Sequence, residues 1–175
     1  GSLPVVLDSL PGHDFDLRVA VRRVVYRDPE KDEIVLVDLD TGARKRLMQG
    51  WQFFNPRLSP DGSKVLVAES RAGGGHTWLV PVDGAPKDLG QSYHASWHPD
   101  GRQIAFVRLE HDGRVISAST LFLMNVHTRF ERQLAVTRAQ PLTRPAISPD
   151  GASLAFVDGR TNEIYVAPMP RSEVR

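Results

Sequence analysis

The sequence predicts an all-β chain, a β-propeller with about four four-stranded blades. Three observations predict it: one tight turn occurs three times, the copies are spaced as blades are, and a strand pattern runs through the chain without a competing helical period. The turn is Ser59-Pro60-Asp61-Gly62, repeated as His98-Pro99-Asp100-Gly101 and Ser148-Pro149-Asp150-Gly151. Proline presets the first corner of a type I turn, aspartate tolerates the second and bonds nearby backbone N–H groups, and glycine takes the left-handed position that follows. Such a turn joins two antiparallel strands, and β-branched and aromatic residues follow every copy. A side chain at Gly62, Gly101 or Gly151 should cost about 1–2 kcal/mol. Asp61 and Asp100 are 39 residues apart, and Asp100 and Asp150 are 50 apart. Four-stranded units of ~40–45 residues are the mark of propeller blades, each of which must stack on a neighbour to bury its apolar face.

Taken in order, Leu3 to Leu7 is a short strand without a nearby hairpin partner, and Pro11-Gly12 breaks the chain. The first blade is placed at about 14–50. It holds a long extended stretch from Asp14 to Asp28 with Val19, Val21, Val24, Val25 and Tyr26 buried, a strand from Glu33 to Asp40, and a basic outer strand from Ala43 to Met48. Charge on an outer strand discourages edge-to-edge pairing. The second blade, about 51–90, has strands at 55–59, 64–70, 77–82 and 86–89, with a glycine-rich loop from Arg71 to His76. The third, about 91–140, repeats this plan with an insertion from His111 to Ser119. The fourth, about 141–170, lacks its last strand, which residues 3–8 are placed to supply.

With 175 residues, 41% of them hydrophobic and 25% charged, the chain has the composition of a soluble globular protein with a real core. Its 22 basic and 21 acidic side chains leave a net charge of +1, which argues against nucleic acid or an anionic membrane as partner. With no cysteine, disulfides, thiol catalysis and Cys-ligated metals are excluded. No apolar run approaches the ~20 residues of a membrane span, and no signal peptide is visible, though a mature chain would have lost one.

Aligning the repeats on their prolines gives two columns. Leu58, Trp97 and Ile147 stand two before the proline and are core. Asn55, His94 and Arg144 stand five before it, polar residues at the start of each innermost strand, where a propeller's channel opens. They either solvate that opening or form a binding rim for a peptide or sugar, joined by Trp51, Phe53 and Tyr93, which alternatively pack between blades. No metal is expected: His94 and His98 are ~13 Å apart on an extended segment, and His76 and His111 fall in loops of adjacent blades. No catalytic residues are expected either. There is no Gly-x-Ser-x-Gly elbow, Gly73-Gly74-Gly75 lacks the Lys-Ser/Thr and helix of a phosphate loop, and Ala43-Arg44-Lys45-Arg46 reads as a solvated outer strand.

The pattern of an aromatic or aliphatic residue, Ser-Pro-Asp-Gly, two variable residues and a β-rich run ending in Ala-Phe-Val resembles the TolB-type, WD40-like propeller repeat, over roughly residues 14–170. The same repeat is similar to blades in the propeller domain of prolyl-oligopeptidase-like peptidases. The first resemblance implies a periplasmic, non-catalytic propeller, without cofactor, that binds other proteins of the bacterial cell envelope. The second implies an accessory propeller of a peptidase. Oligogalacturonate lyases, built on similar blades, imply a third reading, a channel-sited lyase holding a metal through scattered histidines. TolB proteins carry six blades and an N-terminal domain. Material for about four blades therefore implies a small closed ring, a half-propeller completed by a partner such as a second copy in a homodimer, or a piece of a longer chain.

Overall fold

The computed structural model describes residues 14–111, 116–138 and 141–170. These form fifteen strands in four antiparallel sheets. The first sheet comprises β1 (Phe15–Arg18), β2 (Arg23–Asp28), β3 (Glu33–Asp38) and β4 (Arg44–Gln49), paired in that order. The second comprises β5 (Phe53–Leu58), β6 (Lys64–Arg71), β7 (Gly74–Pro81) and β8 (Lys87–Gln91). The third comprises β9 (Tyr93–Trp97), β10 (Gln103–His111), β11 (Ile116–Asn125) and β12 (Glu131–Arg138). The fourth has three strands, β13 (Leu142–Ile147), β14 (Ser153–Asp158) and β15 (Ile164–Pro168). The strand expected at residues 3–8 lies outside the described residues. The chain divides into two compact units, Gly1–Asp88 and Leu89–Arg175, with the boundary inside β8.

The repeated turn is built as its residues dictate. The Gly62 N–H donates to Ser59 O (2.9 Å) and the Ser59 N–H to Lys64 O (2.8 Å), and the other two copies close in the same way. The Asp61 carboxylate accepts from the Ser59 hydroxyl (2.6 Å) and from the Ser63 hydroxyl and N–H, while Ser59 Oγ accepts from the Lys64 N–H. Ser148 and Asp150 reproduce these bonds except the second hydroxyl bond, which Ala152 cannot make, and in the middle copy His98 Nδ1 accepts from the Asp100 N–H while the Asp100 carboxylate accepts the Arg102 and Gln103 N–H groups. Burial works to raise the Asp61 pKa. The two serine hydroxyls, the Ser63 N–H and the Lys64 charge outweigh it and hold the carboxyl below its ordinary range.

The first sheet, which lacks this motif, makes the same corner differently. Val19–Val21 form a 3₁₀ turn, Arg22 takes the left-handed position (φ 47°), and its N–H donates to Val19 O (3.1 Å). The stretch from Asp14 to Asp28 is therefore not continuously extended, and Val19, expected in the core, is 73% exposed at the corner. Two further expectations change. Arg71 to His76 is no loop: Arg71 pairs with Gly74, so only Ala72 and Gly73 turn the chain. The insertion after His111 lengthens β10 and β11 into a long hairpin.

A second turn recurs after β3, β11 and β14. Asp38, Asn125 and Asp158 each accept, through one side-chain oxygen, the N–H groups of the residues two and three further on. Thr41, Thr128 and Thr161 then accept from the backbone two residues later. Gly42, Arg129 and Asn162 hold the left-handed position between.

Side chains alternate across the sheets as the two-residue period requires. In the first unit Val25, Ile34 and Leu36 pack against Phe53, Leu58, Val65, Val67 and Val80 of the second sheet, while Val24, Tyr26, Val35 and Val37 form a cluster on the opposite face. In the second unit Ala105, Val107 and Leu121 pack with Leu142 and Leu154.

Candidate functional site

The site lies on the first strands of the second, third and fourth sheets. β5, β9 and β13 carry the same irregularity at the same place. Phe54 pairs with Ala68 and Arg57 with Leu66, so Asn55 and Pro56 together face Val67 alone. His94 and Ala95 likewise face Phe106, and Arg144 and Pro145 face Phe156. Each is a β-bulge, two residues opposite one, which bends the strand and takes a residue out of the ladder. The first bulge residue is left-handed in all three: φ is 51° at Asn55, 56° at His94 and 51° at Arg144. The polar column is therefore first a backbone feature. Asparagine and histidine are among the residues that best tolerate this region, whereas arginine gains nothing there. Proline at Pro56 and Pro145 fits because a bulge position needs no ladder N–H.

In the first unit, β1 anchors the bulged strand. Asp14 accepts from the Asn55 N–H (3.3 Å), Asp16 accepts from the Leu58 N–H (2.8 Å), and Arg18 donates to Leu58 O (3.1 Å). Trp51, just before β5, is 73% exposed. Phe53 is only 8% exposed and meets Trp78 edge to face at 6.3 Å. Phe53 therefore leaves the expected rim set: the first residue of β5 points into the core, and its neighbour Phe54 points out.

In the second unit, β9 and β13 pack side by side, which brings His94 within reach of the Arg144 charge. Both residues are exposed, and Tyr93 is half-buried. The imidazole of His94 reaches solvent from crowded surroundings. That burial, and secondly the Arg144 charge, hold its pKa below the ordinary histidine value. Among the described residues no carboxylate acts on it in the opposite sense.

A polar cluster at the β6–β7 hairpin was not legible from the sequence. Glu69 accepts from Trp78 Nε1 (2.8 Å) and from Arg71. Arg71 also reaches Asp88 (3.2 Å), and His76 Nδ1 lies 3.1 Å from both Asp88 oxygens. His76 thus stands on a strand rather than in a loop, tied to a carboxylate. These contacts join side chains of the consecutive strands β6, β7 and β8, at most 17 positions apart, and no turn or periodicity signal marks them. Among the described residues no group of three or more His, Asp or Glu is placed to hold a metal ion. The basic outer strand is partly neutralised, with Lys45 on Asp83 (2.6 Å) and Arg46 on Glu33 (3.1 Å).

No protein-family model matches the sequence, and no curated protein matches it. Solved structures do. TolB from Acinetobacter baumannii matches with a TM-score of 0.63 at 18% identity, over 92% of this chain and 44% of that one. A puromycin-hydrolyzing peptidase from Mycobacterium tuberculosis matches with a TM-score of 0.64 at 16% identity, over 90% of this chain and 29% of that one. An oligogalacturonate lyase solved in complex with manganese matches with a TM-score of 0.56 at 17% identity, over 82% and 48%. The chain thus spans about half the length of the TolB structures it matches, 56% in one and 44% in another. At these identities the likeness is one of fold, and the fold shared is the β-propeller, built of antiparallel blades.

Proposed function

We propose that the chain is a non-catalytic recognition module of the bacterial cell envelope, binding a protein partner through the bulged strands that carry Asn55 in the first unit and His94 and Arg144 in the second, with Trp51 and Tyr93 as further binding residues. The observation that carries this reading is the repeated left-handed bulge occupied by side chains other than glycine. A left-handed residue with a side chain costs about 1 kcal/mol or more, and such strain gathers at functional positions. The exposed ring of Trp51 adds an anchor of the kind that dominates protein interfaces. The periplasmic location rests on the resemblance of the Ser-Pro-Asp-Gly repeats to those of TolB.

The test is capture from an envelope extract, comparing the wild-type chain with an Asn55→Ala/His94→Ala/Arg144→Ala variant of unchanged circular dichroism. A partner retained by the wild type and lost by the variant supports the proposal. Equal capture by both removes the bulge column as the binding surface. A second reading, an accessory propeller within a longer peptidase, is favoured by the peptidase match falling on only 29% of that enzyme's chain. A native reading frame continuing into a catalytic domain would establish it over the first.

A further inference from the structure

The ligand chemistry at one part of this surface can be taken further, resting on the recognition reading above. His94 and Arg144 sit on adjacent strands of the second unit, each the first residue of a left-handed bulge, and both are exposed. Among the described residues Arg144 makes no hydrogen bond or ion pair, unlike Arg108, which holds Glu131 through both terminal nitrogens (2.8 and 2.7 Å). The β10 residue opposite the His94 bulge is Phe106, and the next one, Val107, pairs with Tyr93; neither carries a charge. Among the described residues, then, a guanidinium without an acid stands near an imidazole on which no carboxylate acts, a pairing suited to an anion.

We propose that His94 and Arg144 together bind a carboxylate on an acidic segment of a protein partner, Arg144 in a two-point grip and His94 as the neighbouring hydrogen-bond donor. A guanidinium matches a carboxylate bidentately, and a charge-assisted bond of this kind is about twice as strong as a neutral one. A peptide is favoured over a free anion because each bulge takes a residue out of the ladder, leaving main-chain groups for a peptide's own backbone.

The arrangement carries a proton linkage. In the free protein, burial and then Arg144 disfavour the imidazolium. A bound carboxylate neutralises Arg144 and adds a negative partner, so the His94 pKa rises on binding. The bound state then holds more protons than the free state, and affinity must increase as pH falls through the window between the two pKa values, with at most one proton taken up.

The experiment uses the full chain and fluorescein-labelled hexaglutamate, read by anisotropy at low salt at pH 8.0 and 5.5. Wild type is expected to bind about three- to tenfold more tightly at the lower pH, well within what a single linked proton allows. Arg144→Gln should weaken binding at least tenfold at both pH values, and Arg144→Lys, which keeps the charge but loses the two-point grip, by an intermediate factor. His94→Gln should bind with less than a twofold change between the two pH values. Unchanged binding by Arg144→Gln, or an undiminished pH response in His94→Gln, overturns the assignment. So does binding of hexagalacturonate with no binding of hexaglutamate, which would make the ligand an acidic sugar. If hexaglutamate fails while partner capture still depends on the bulge column, the carboxylate assignment alone falls. If capture is independent of the column, both fall together.

Discussion

Gly62→Ala tests how the repeated turn seats itself on the preceding blade. Two costs are predicted, and the structure separates them. The backbone is left-handed at Gly62 (φ 70°), so any side chain there loses about 1–2 kcal/mol. A Cβ would also lie 2.9 Å from Val21 Cγ2 and 3.2 Å from Val21 Cβ. Val21 is β-branched with little rotamer freedom, and Arg23, which donates to Gly62 O at 2.8 Å, holds the turn against it. Overpacking of this kind costs about 1–3 kcal/mol. Gly42 supplies the control: its φ is 71°, yet an added Cβ meets nothing within 4 Å. Gly42→Ala should therefore lose about 1–2 kcal/mol in urea unfolding, and Gly62→Ala about 1–3 kcal/mol more. Adding Val21→Ala to Gly62→Ala should recover about 1 kcal/mol, because neighbours in contact are coupled. Equal losses at Gly42 and Gly62, or no recovery in the double variant, would refute the idea that the turn is wedged against Val21.

Two other outcomes follow from the same repeats. Trp97→Ala should cost about 3–5 kcal/mol, since the ring is 6% exposed, and calorimetry should show a fall of about 6–20 °C in the transition that includes the second unit. Acid should weaken the turns: the Asp61 and Asp150 carboxyls are held below their ordinary values, Asp150 first by the Ser148 hydroxyl and then by the Ala152 N–H. With the folded pKa depressed, the stabilisation is present above the unfolded value of about 3.9 and disappears as pH falls through the folded value. Stability curves should therefore bend downward below pH ~4, and Asp61→Asn should show a shallower bend, whereas parallel curves would contradict the assignment.

The blade plan was legible because its signals are local. Pro60, Asp61 and Gly62 each state one corner of a turn, and the runs after them state strands, so the repeat emerges without tertiary information. The first sheet shows the limit: nothing in Val19-Ala20-Val21-Arg22 announces a left-handed corner, because Arg22 is held there by the pairing of β1 with β2. The second turn was readable in principle, since Asp38, Asn125 and Asp158 each precede a threonine by three positions, but the asparagine breaks the identity and hides the repeat. The candidate site was half legible. Its column of polar residues can be aligned, but the strand pattern around them predicts an extended conformation and not a left-handed one. Pro56 and Pro145 were the available signal, because proline inside a strand calls for an edge or a bulge. The influence of the Arg144 charge on His94 joins residues fifty positions apart and cannot be read from either strand alone.

The left-handed column also offers a way to separate structural from functional causes. If the bulge existed only to bend the strand, glycine would be the least strained occupant, offset by its extra freedom in the unfolded chain of about 0.5–1 kcal/mol. Asparagine tolerates this region, so Asn55→Gly should be near neutral, also because its N–H bond to Asp14 is a backbone bond and survives. Arginine has no such tolerance, and among the described residues the Arg144 side chain makes no hydrogen bond or ion pair to lose. Arg144→Gly should therefore be neutral or stabilise by up to about 1 kcal/mol, and it should also relieve part of the charge repulsion on His94. A gain in stability paired with a loss of binding would mean that the side chain is kept at the expense of the fold. A loss of more than about 1 kcal/mol would mean that Arg144 holds the strand itself, and the strain at these bulges would then carry no message about recognition.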